Sequence, residues 1–537
     1  MSTTTNLGLT LTGEGQADVQ KLFLTWRNEM SGETGTSNME KIDAAYGEMA
    51  ETIENLTTAT EDIKDRLHDI TMALSNGVHI YGAKWDGTNA KMSRMFDATD
   101  ITTDITNFAH RGATNTDYNN PFDAIYPFSE FKACNVSVDT YVALEDGADI
   151  RGAVTAWYGD PDFKYDGTNG LVGAYRPEYW FTAYKDGTDT IFAIADGKID
   201  GWVHSPAYIR GMGFAVDAGD NKLTCNSGQP LTNVQIGQLH TRAKNTGFTI
   251  DDIYTYSAEV TAMIVEFADM NTQRAIGNGV DSNYRSNNND KPFIAETGAT
   301  RVVLPKDFAP FAVVGATLDF GASKDAVVAA NRRTCTGYEV YSEDSKYISV
   351  NFDTALDVTT DMFVSAHGMV NGEGVGNASG YIGANGKANA FYRGAIAHAN
   401  RWRYILGAYR QAGTAEIWVC NDPDKCDDYD ALNTASADHI DTGYHLPIVD
   451  GEKKEGYIQT LAVIDGLGAV PVCTSVGGNS TNPVGDYCYQ PALTTGNTVL
   501  VAGGTASSGA ICGAFSGSWS YSSSSSTWHR AVSPVLK

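Results

Sequence analysis

The residues best suited to recognition chemistry lie near the C-terminus, over residues 516–529. Serine dominates this stretch, with an unbroken run at 522–526. Three aromatic residues interrupt it, namely Trp519, Tyr521 and Trp528. Tyr and Trp supply rigid contact area and Ser and Gly supply adaptable polar contacts, the mixture that antibody loops use. The alternative is a flexible low-complexity linker. The apolar tail 531–536 favours a binding loop, because it would fix the loop at both ends.

Sequence motifs for catalysis and for metal binding are missing from the chain. There is no HExxH, P-loop or GxSxG, and the glycine repeat that starts at Gly372 lacks the strand and helix of a dinucleotide site. The ten histidines are scattered, with no pair at metal-ligand spacing. We therefore predict no catalytic residue, no metal and no cofactor. Paired carboxylates for glycoside hydrolysis remain an alternative, because such pairs form in space and not in sequence.

One loop carries enough carboxylates to consider calcium. Its aspartates are Asp422, Asp424, Asp427, Asp428 and Asp430. Their spacing does not match the twelve-residue loop of an EF-hand. We therefore expect a solvated acidic loop.

The element predicted to carry and multiply any such surface is a coiled coil over residues 41–74. Apolar residues alternate in steps of four and three, and among ten seam positions only Thr60 is polar. The predicted seam residues are Ile42, Tyr46, Met49, Ile53, Leu56, Ile63, Leu67, Ile70 and Leu74, and this mixed seam does not fix two strands versus three. The alternative, an amphipathic helix packed on its own domain, would have a wider stripe that drifts off the heptad. A coiled coil needs partner copies, so the pattern predicts a homo-oligomer.

The rest of the chain alternates aromatic-rich strands with turns and contains two predicted helices. The helices are expected at 233–244 and at 251–275, the second capped by Asp251 and ended by Gly277. The predicted strands include 154–157, 179–183 and 191–195. A different texture from 294 to 370, with strands expected at 301–304, 311–314 and 348–352, predicts a small all-β insert.

Composition limits the partners of the protein. The chain has 537 residues and a net charge of −27, which disfavours nucleic acid and anionic membranes. The N-terminus has no signal-peptide pattern and no apolar run approaches a membrane span. We expect synthesis in a cytoplasm, with release by a route such as lysis. The eight cysteines form no CxxC and are expected to be free thiols.

Several stretches resemble the C-type-lectin-fold tail proteins of gut bacteriophages. They are GVHIYGAKWDGT near residue 77, DGKIDGWVHSPAYIRG at 196–211, LHTRAKNTGFTIDDIYTYSAEVTAMIVEFADMNTQRAIGNG at 239–279 and GAICGAFSGSWS at 509–520. The N-terminal MSTTTNLGLTLTG also resembles the attachment ends of phage tail fibres. The resemblance implies an α+β fold, with an N-terminal trimeric coiled coil and a C-type-lectin-like head that carries the all-β insert.

The same resemblance implies a domain order. A virion-attachment segment (1–37) precedes the coiled-coil neck (38–76). The head follows in two parts (77–284 and 381–537), separated by the insert (285–380). The N-terminus would bind phage tail or baseplate proteins in a homotrimer.

The resemblance also implies a C-terminal surface of the kind that diversity-generating retroelements vary, contacting a glycan or protein receptor on the host cell. Cys512, Gly513 and Phe515 would form its fixed framework. The expected receptor-binding residues are Ser507, Ser508, Ser516, Ser518, Trp519, Ser520, Tyr521, Ser522, Ser524, Ser526, Thr527, Trp528 and His529. The exposed positions are expected among the serines of this set, together with Tyr521, Thr527 and His529.

The sequence thus predicts a non-enzymatic receptor-binding tail fibre of a phage virion, made in the bacterial cytoplasm and not inserted in a membrane. Two alternatives stay open. One is a depolymerase that cuts surface polysaccharide with paired carboxylates. The other is a structural baseplate or capsid-decoration protein.

Overall fold

The computed structural model describes residues 70, 77–102, 121–372, 387–420, 422–426, 438–449, 452–464, 467–490 and 496–537. The chain divides into two units, Met1–Val78 with Ile199–Gly201, and His79–Lys198 with Trp202–Lys537. Nearly all the described residues belong to the second unit. Its elements are those that position the candidate site.

Strands build four larger sheets in this second unit. In spatial order, the five-stranded sheet contains Ser93–Phe96, Ile80–Trp85, Asp189–Ala195, Tyr179–Asp186 and Val203–Ser205. A first six-stranded sheet contains Thr249–Ile250, Pro534–Leu536, Tyr208–Gly211, Leu171–Arg176, Lys132–Val136 and Val154–Trp157. A second contains Tyr284–Arg285, Phe363–Met369, Ala316–Gly321, Arg333–Val340, Tyr347–Val358 and Glu296–Pro305. All neighbours in these three sheets run antiparallel.

The largest sheet has nine strands and holds the C-terminal segment. Its path contains His439–His445, Glu416–Cys420, Trp402–Arg410, Thr498–Ala502, Gly517–Tyr521, Tyr487–Tyr489, Gly456–Ile464 and Gly468–Val476, with Arg530–Ala531 pairing beside Trp402–Arg410. The remaining described strands form three two-stranded sheets. They are Val216–Gly219 with Lys222–Thr224, Ala390–Tyr392 with Ala395–His398, and Ile448–Val449 with Glu452–Lys453.

Helices are short in the described part of the chain. The α-helices are Val138–Val142, Ile236–Thr246, Ile253–Phe267 and Gln273–Ile276. Short 3-10 helices lie at Pro121–Ala124, Phe128–Glu130, Ile150–Ala153, Lys306–Phe311, Ala329–Asn331 and Pro423–Lys425. The helix expected over 251–275 breaks in two, because Ala268 adopts a left-handed conformation (φ 49°) directly after Phe267. Its N-cap is Asp252, whose side chain accepts from the Tyr254 and Thr255 amides, and not the predicted Asp251.

The prediction of an α+β fold with an N-terminal trimeric coiled coil is wrong. Among the described residues strands make up 42% and helices 14%, and none of the described helices is long enough to form a coiled coil. The longest helix among the described residues has 15 residues. The 25-residue periodic stretch overestimated helix, because apolar spacing reports which face is buried and not how far a helix extends. Of the predicted seam residues only Ile70 is described, and it is helical and buried. The others, with the attachment segment 1–37, lie outside the described residues.

Helix Ile253–Phe267, here called the core helix, is buried at nearly every position and carries two acidic side chains into the interior. Glu259 binds Arg176 (2.5 Å) and Arg210, and Glu266 binds Arg393 (2.7 Å). Burial alone would raise the pKa of Glu259, but Arg210, Arg176 and Arg403 hold it down to about 2. The pairs are satisfied, which is what allows charges to lie in a core.

The strands between 284 and 369 pair only with one another in the described sheet pattern, and their buried side chains form one cluster together with Val280, Ala506 and Trp528. The strands predicted at 301–304 and 348–352 fall within Glu296–Pro305 and Tyr347–Val358, so both predictions are confirmed. The strand predicted at 311–314 is wrong, because Phe311 ends a 3-10 helix there. All eight cysteines are buried free thiols, as predicted. No described helix is long and apolar enough to cross a membrane.

Candidate binding site at the C-terminal turn

The strand Gly517–Tyr521 lies inside the nine-stranded sheet. It runs antiparallel to Thr498–Ala502, with Val501 opposite Ser518, and parallel to Tyr487–Tyr489. The strand is paired on both edges; its first three residues are buried, and Ser520 and Tyr521 at its end are partly exposed. Residues 520–527, here called the C-terminal turn, therefore leave the sheet from a fixed start.

The serine run is folded and does not behave as a linker. The Ser525 amide donates to the Ser522 carbonyl (3.1 Å), and the Ser522 hydroxyl lies 3.0 Å from that of Ser524. Side chains and backbone from outside the run hold it: the Tyr404 hydroxyl donates to the Ser525 carbonyl (2.9 Å). The Asn233 amide donates to the Thr527 carbonyl (2.9 Å). The backbone of the turn is thus fixed by bonds that leave its serine side chains at the surface.

Trp528 anchors the far end of the turn on the neighbouring sheet. Its side chain is 7% exposed and stacks on the rings of His367 (centroids 4.6 Å apart) and Tyr284 (5.0 Å), with planes within 7°. Tyr284 and His367 are themselves opposite each other on adjacent strands. The Arg401 guanidinium lies 5.6 Å from the Trp528 ring. These contacts dock the C-terminal segment onto the sheet between 284 and 369.

Contacts with two aspartates hold the ring that Trp528 stacks on. The His367 Nδ1 lies 2.7 Å from Asp319, and its Nε2 lies 3.3 Å from Asp325. Asp319 also pairs with Arg332 (2.9 Å). With both ring nitrogens bonded, His367 cannot rotate away without losing these partners, so the stacking platform is rigid.

Tyr521, at the start of the turn, also contacts Arg530, which follows the turn. The Arg530 guanidinium lies 4.0 Å from the centre of the Tyr521 ring, a cation–π distance. Arg530 also donates to the Thr527 hydroxyl (3.0 Å). Burial lowers the pKa of the intervening His529 to about 3, with help from the nearby cations Arg530 and Arg401, so this ring is neutral at pH 7. The turn therefore presents hydroxyl groups and one phenol, with no acidic or basic side chain of its own.

A buried carboxylate shapes the segment that leads into the strand. Asp486 accepts from the Phe515 amide (2.8 Å) and from Gln273 (3.1 Å). A Cβ on Gly513 would lie 2.0 Å from the Asp486 carboxylate, so only glycine fits there. Burial raises the pKa of Asp486 to about 7. The core helix contributes as well, because the Tyr256 hydroxyl donates to the Ala514 carbonyl.

The structure divides the predicted receptor-binding residues into three groups. Ser507 and Ser524 are exposed. The partly exposed residues are Ser508, Ser520, Tyr521, Ser522, Ser526, Thr527 and His529. The buried ones are Ser516, Ser518, Trp519 and Trp528. The expectation that Ser516 and Ser518 are exposed is therefore wrong, since both lie where the chain enters and follows a central strand. The proposed framework residues Cys512, Gly513 and Phe515 are all buried.

Sequence reasoning missed the platform of Tyr284, His367 and Arg401 and the carboxylate Asp486. No local pattern marks a residue that contacts Trp528 from 161 positions away in the chain, as His367 does. Most of the acidic loop that was considered for calcium lies outside the described residues. Its described member Asp422 lies 3.6 Å from Lys425, and the described part of the chain holds no group of three or more candidate metal-ligating side chains.

Comparison with known proteins adds no relative. No protein-family model and no curated protein matches the chain. The likeness to C-type-lectin-fold phage tail proteins therefore stays a prediction, as do the homotrimer and the virion location.

Proposed function

We propose that this protein attaches a phage particle to its host by binding a cell-surface receptor through the C-terminal turn. One observation carries the proposal: a serine-rich surface turn is fixed at both ends by buried tryptophans, Trp519 and Trp528. A surface that is ordered before binding loses little conformational entropy on binding. Tyr and Ser side chains on such a surface suit the recognition of polar epitopes.

The arrangement supports replacement of the contact residues without loss of the fold. The Ser522 hydroxyl bonds to the hydroxyls of Ser524 and Ser525 within the run, whereas Tyr404 and Asn233 hold the turn from outside through its backbone carbonyls. Side chains can therefore change while the backbone keeps its partners. This is the property that a surface adapted to changing receptors needs.

Adsorption of the full-length protein to candidate host cells tests the proposal. We expect a triple variant, Ser522→Ala with Ser524→Ala and Ser526→Ala, to lower the apparent affinity by about tenfold or more, since three polar contacts are lost. The control carries Ser93→Ala and Ser480→Ala, two exposed serines elsewhere on the same unit. Unchanged adsorption of the triple variant, with the same unfolding midpoint as the parent, would show that the turn is not the receptor contact.

The same experiment separates the remaining alternatives. A structural baseplate or decoration protein predicts no binding to cells by either form. A depolymerase predicts that incubation with surface polysaccharide releases new reducing ends. We expect binding without release of reducing ends.

A further inference from the structure

The second unit also has a cleft, and none of the residues that line it belongs to the C-terminal turn. The cleft has a volume of about 1050 Å³, near the upper end of the range for small-ligand sites. Three tyrosines line it, namely Tyr126, Tyr141 and Tyr175. The loop over residues 144–151 and the Pro177–Glu178 segment form the rest of its wall, with Lys537 beside Tyr141.

Tyr175, a largely buried residue, contributes a polar group to the lining of the cleft. It lies on the strand Leu171–Arg176, is 4% exposed, and packs its ring edge-to-face against Trp157 (5.7 Å). Its phenolic hydroxyl has no hydrogen-bond partner within the described ranges. By contrast, the hydroxyl of Tyr126 donates to the Glu178 carbonyl and that of Tyr141 to the Lys537 carbonyl (2.6 Å). The Tyr175 hydroxyl is not among the fully buried polar atoms, so a ligand or solvent in the cleft can reach it and take up its hydrogen bond.

Charged groups surround that hydroxyl. Burial raises the pKa of Tyr175, the Arg151 guanidinium opposes the rise, and the carboxylates of Asp149, Glu130 and Glu178 add to it. The phenol therefore stays protonated at neutral pH and can donate. Nearby carboxylates are strong acceptors for the hydroxyl or ammonium hydrogens of a ligand.

The balance of charge decides which ligands fit. Five carboxylates line the cleft, namely Glu130, Glu145, Asp146, Asp149 and Glu178. The two cations are already engaged, Arg151 with Asp149 (2.6 Å) and Lys537 with Asp252. An anionic ligand would be repelled. A metal ion is not favoured either, because these carboxylates do not converge into a ligand group among the described residues.

We infer that this cleft binds a saccharide that carries no negative charge, either a neutral sugar or an amino sugar. The carboxylates accept hydrogen bonds from sugar hydroxyls, and the Tyr175 hydroxyl donates one from the floor. The tyrosine faces, which carry negative charge density, attract the polarised C–H groups of a sugar ring. Tyr126, 36% exposed, offers such a face at the rim.

Binding of the full-length protein to an array of neutral, amino and acidic oligosaccharides tests the inference. We expect signal on neutral or amino glycans and none on acidic ones. For a bound glycan, Tyr175→Phe should lower affinity about fivefold, the net contribution of one hydrogen bond, while keeping the ring packed on Trp157. Glu178→Gln should lower affinity by a similar factor. The charge-matched control is Glu343→Gln, at an exposed turn outside the cleft.

Three outcomes would overturn the inference: binding to acidic glycans only, binding to no glycan, or binding that Tyr175→Phe and Glu178→Gln leave unchanged. Each variant is first compared with the parent by thermal unfolding, and Glu130→Gln replaces any variant that fails to fold. The inference is independent of the proposed function. If the cleft variants lose glycan binding and keep adsorption, while the triple serine variant does the reverse, both stand.

Discussion

The C-terminal turn and the tyrosine cleft offer polar groups to a partner in opposite ways. The turn is uncharged, and its hydroxyl side chains take little part in holding its backbone. The cleft is concave and acidic, and its central hydroxyl belongs to Tyr175, a residue buried in a sheet. Changing a turn serine leaves its supports in place, whereas removing the Tyr175 ring would disturb packing on Trp157.

The difference shows how one protein can separate adaptable recognition from fixed recognition. The supports of the turn are buried residues outside its exposed positions, Trp519, Trp528 and Asp486. The cleft has no such separation, because a residue such as Tyr175 both lines the cleft and packs inside the fold. We therefore expect the turn to tolerate substitution far better than the cleft, and the predictions below test where the supports end and the contacts begin.

The largest effect is expected from Trp528→Ala. The substitution removes a buried indole stacked on His367 and Tyr284, and such truncations cost about 3–5 kcal/mol of unfolding free energy. Chemical denaturation measures the loss. Adsorption through the turn should fall with it, while glycan binding at the cleft persists in the fraction that stays folded.

Trp180→Ala is the matched control for that prediction. Trp180 is partly exposed and stacks on His204 (4.8 Å), away from the turn. Its removal should cost less and leave adsorption unchanged. Equal losses from the two variants would mean that Trp528 is not a special anchor of the turn.

Local pattern predicted much of the scaffold but little of the site. The core helix follows from the 3.6-residue spacing of Ile253, Tyr256 and Val260, and the strand at 154–157 from its turn-bounded β-formers. The burial of Ser516 and Ser518 did not follow, because a segment whose two faces are both covered loses the alternation that marks an exposed face. The coiled coil shows the opposite error, a strong local pattern that the helix content of the described residues does not support.

Local patterns also could not predict the contacts that hold the turn, because these contacts join residues that lie far apart in the sequence. Trp528 meets Tyr284, and Asp486 meets Gln273, across more than 200 positions of sequence. Spacing rules describe neighbours along a helix or strand, and such long-range pairs depend on how the sheets pack. The serine-rich composition did point to the turn itself, because composition does not depend on packing.

Gly513→Ala should give the next largest effect. The new methyl group would lie 2.0 Å from the Asp486 carboxylate, which must move and weaken its bond to the Phe515 amide. We expect a loss of about 1–3 kcal/mol, typical of forced overpacking. Gly496→Ala is the control, since a Cβ there meets nothing within 4 Å. Similar unfolding midpoints for the two variants would remove Gly513 from the supports of the turn.

The pH dependence of stability tests Asp486 without altering its shape much. Burial raises its pKa to about 7, well above the value of about 3.9 for an unfolded chain. Between these values the folded state holds a proton that the unfolded state has released. This carboxyl group therefore makes the unfolding free energy fall as pH rises from about 4 to 7, by up to about 1.4 kcal/mol per pH unit, and its effect levels off above pH 7.

Asp486→Asn isolates this contribution from those of other carboxyls. The difference between parent and variant unfolding free energies should change across the same window and be constant above it. A constant difference from pH 4 to 8 would show that Asp486 is charged throughout and would contradict the proposed cause.

Salt should separate the two surfaces by a smaller effect. Binding of an amino sugar at the acidic cleft should weaken several-fold as the screening length falls from about 30 to about 3 Å, between about 0.01 and 1 M salt. Adsorption through the uncharged turn should change little. Titrations of both activities at the same series of salt concentrations make the comparison. Equal salt dependence would mean that the two activities share a surface.

The smallest effects are expected from single serine changes, and they locate the boundary between support and contact. Ser524→Ala, at an exposed position, should change the unfolding free energy by less than about 0.5 kcal/mol. Ser516→Ala should cost about 1 kcal/mol, because the buried hydroxyl donates to the Tyr487 carbonyl (3.2 Å). Only Ser524→Ala should weaken adsorption at equal stability. If both serines cost the same and neither affects adsorption, the exposed part of the turn is scaffold and the division drawn between the two surfaces fails.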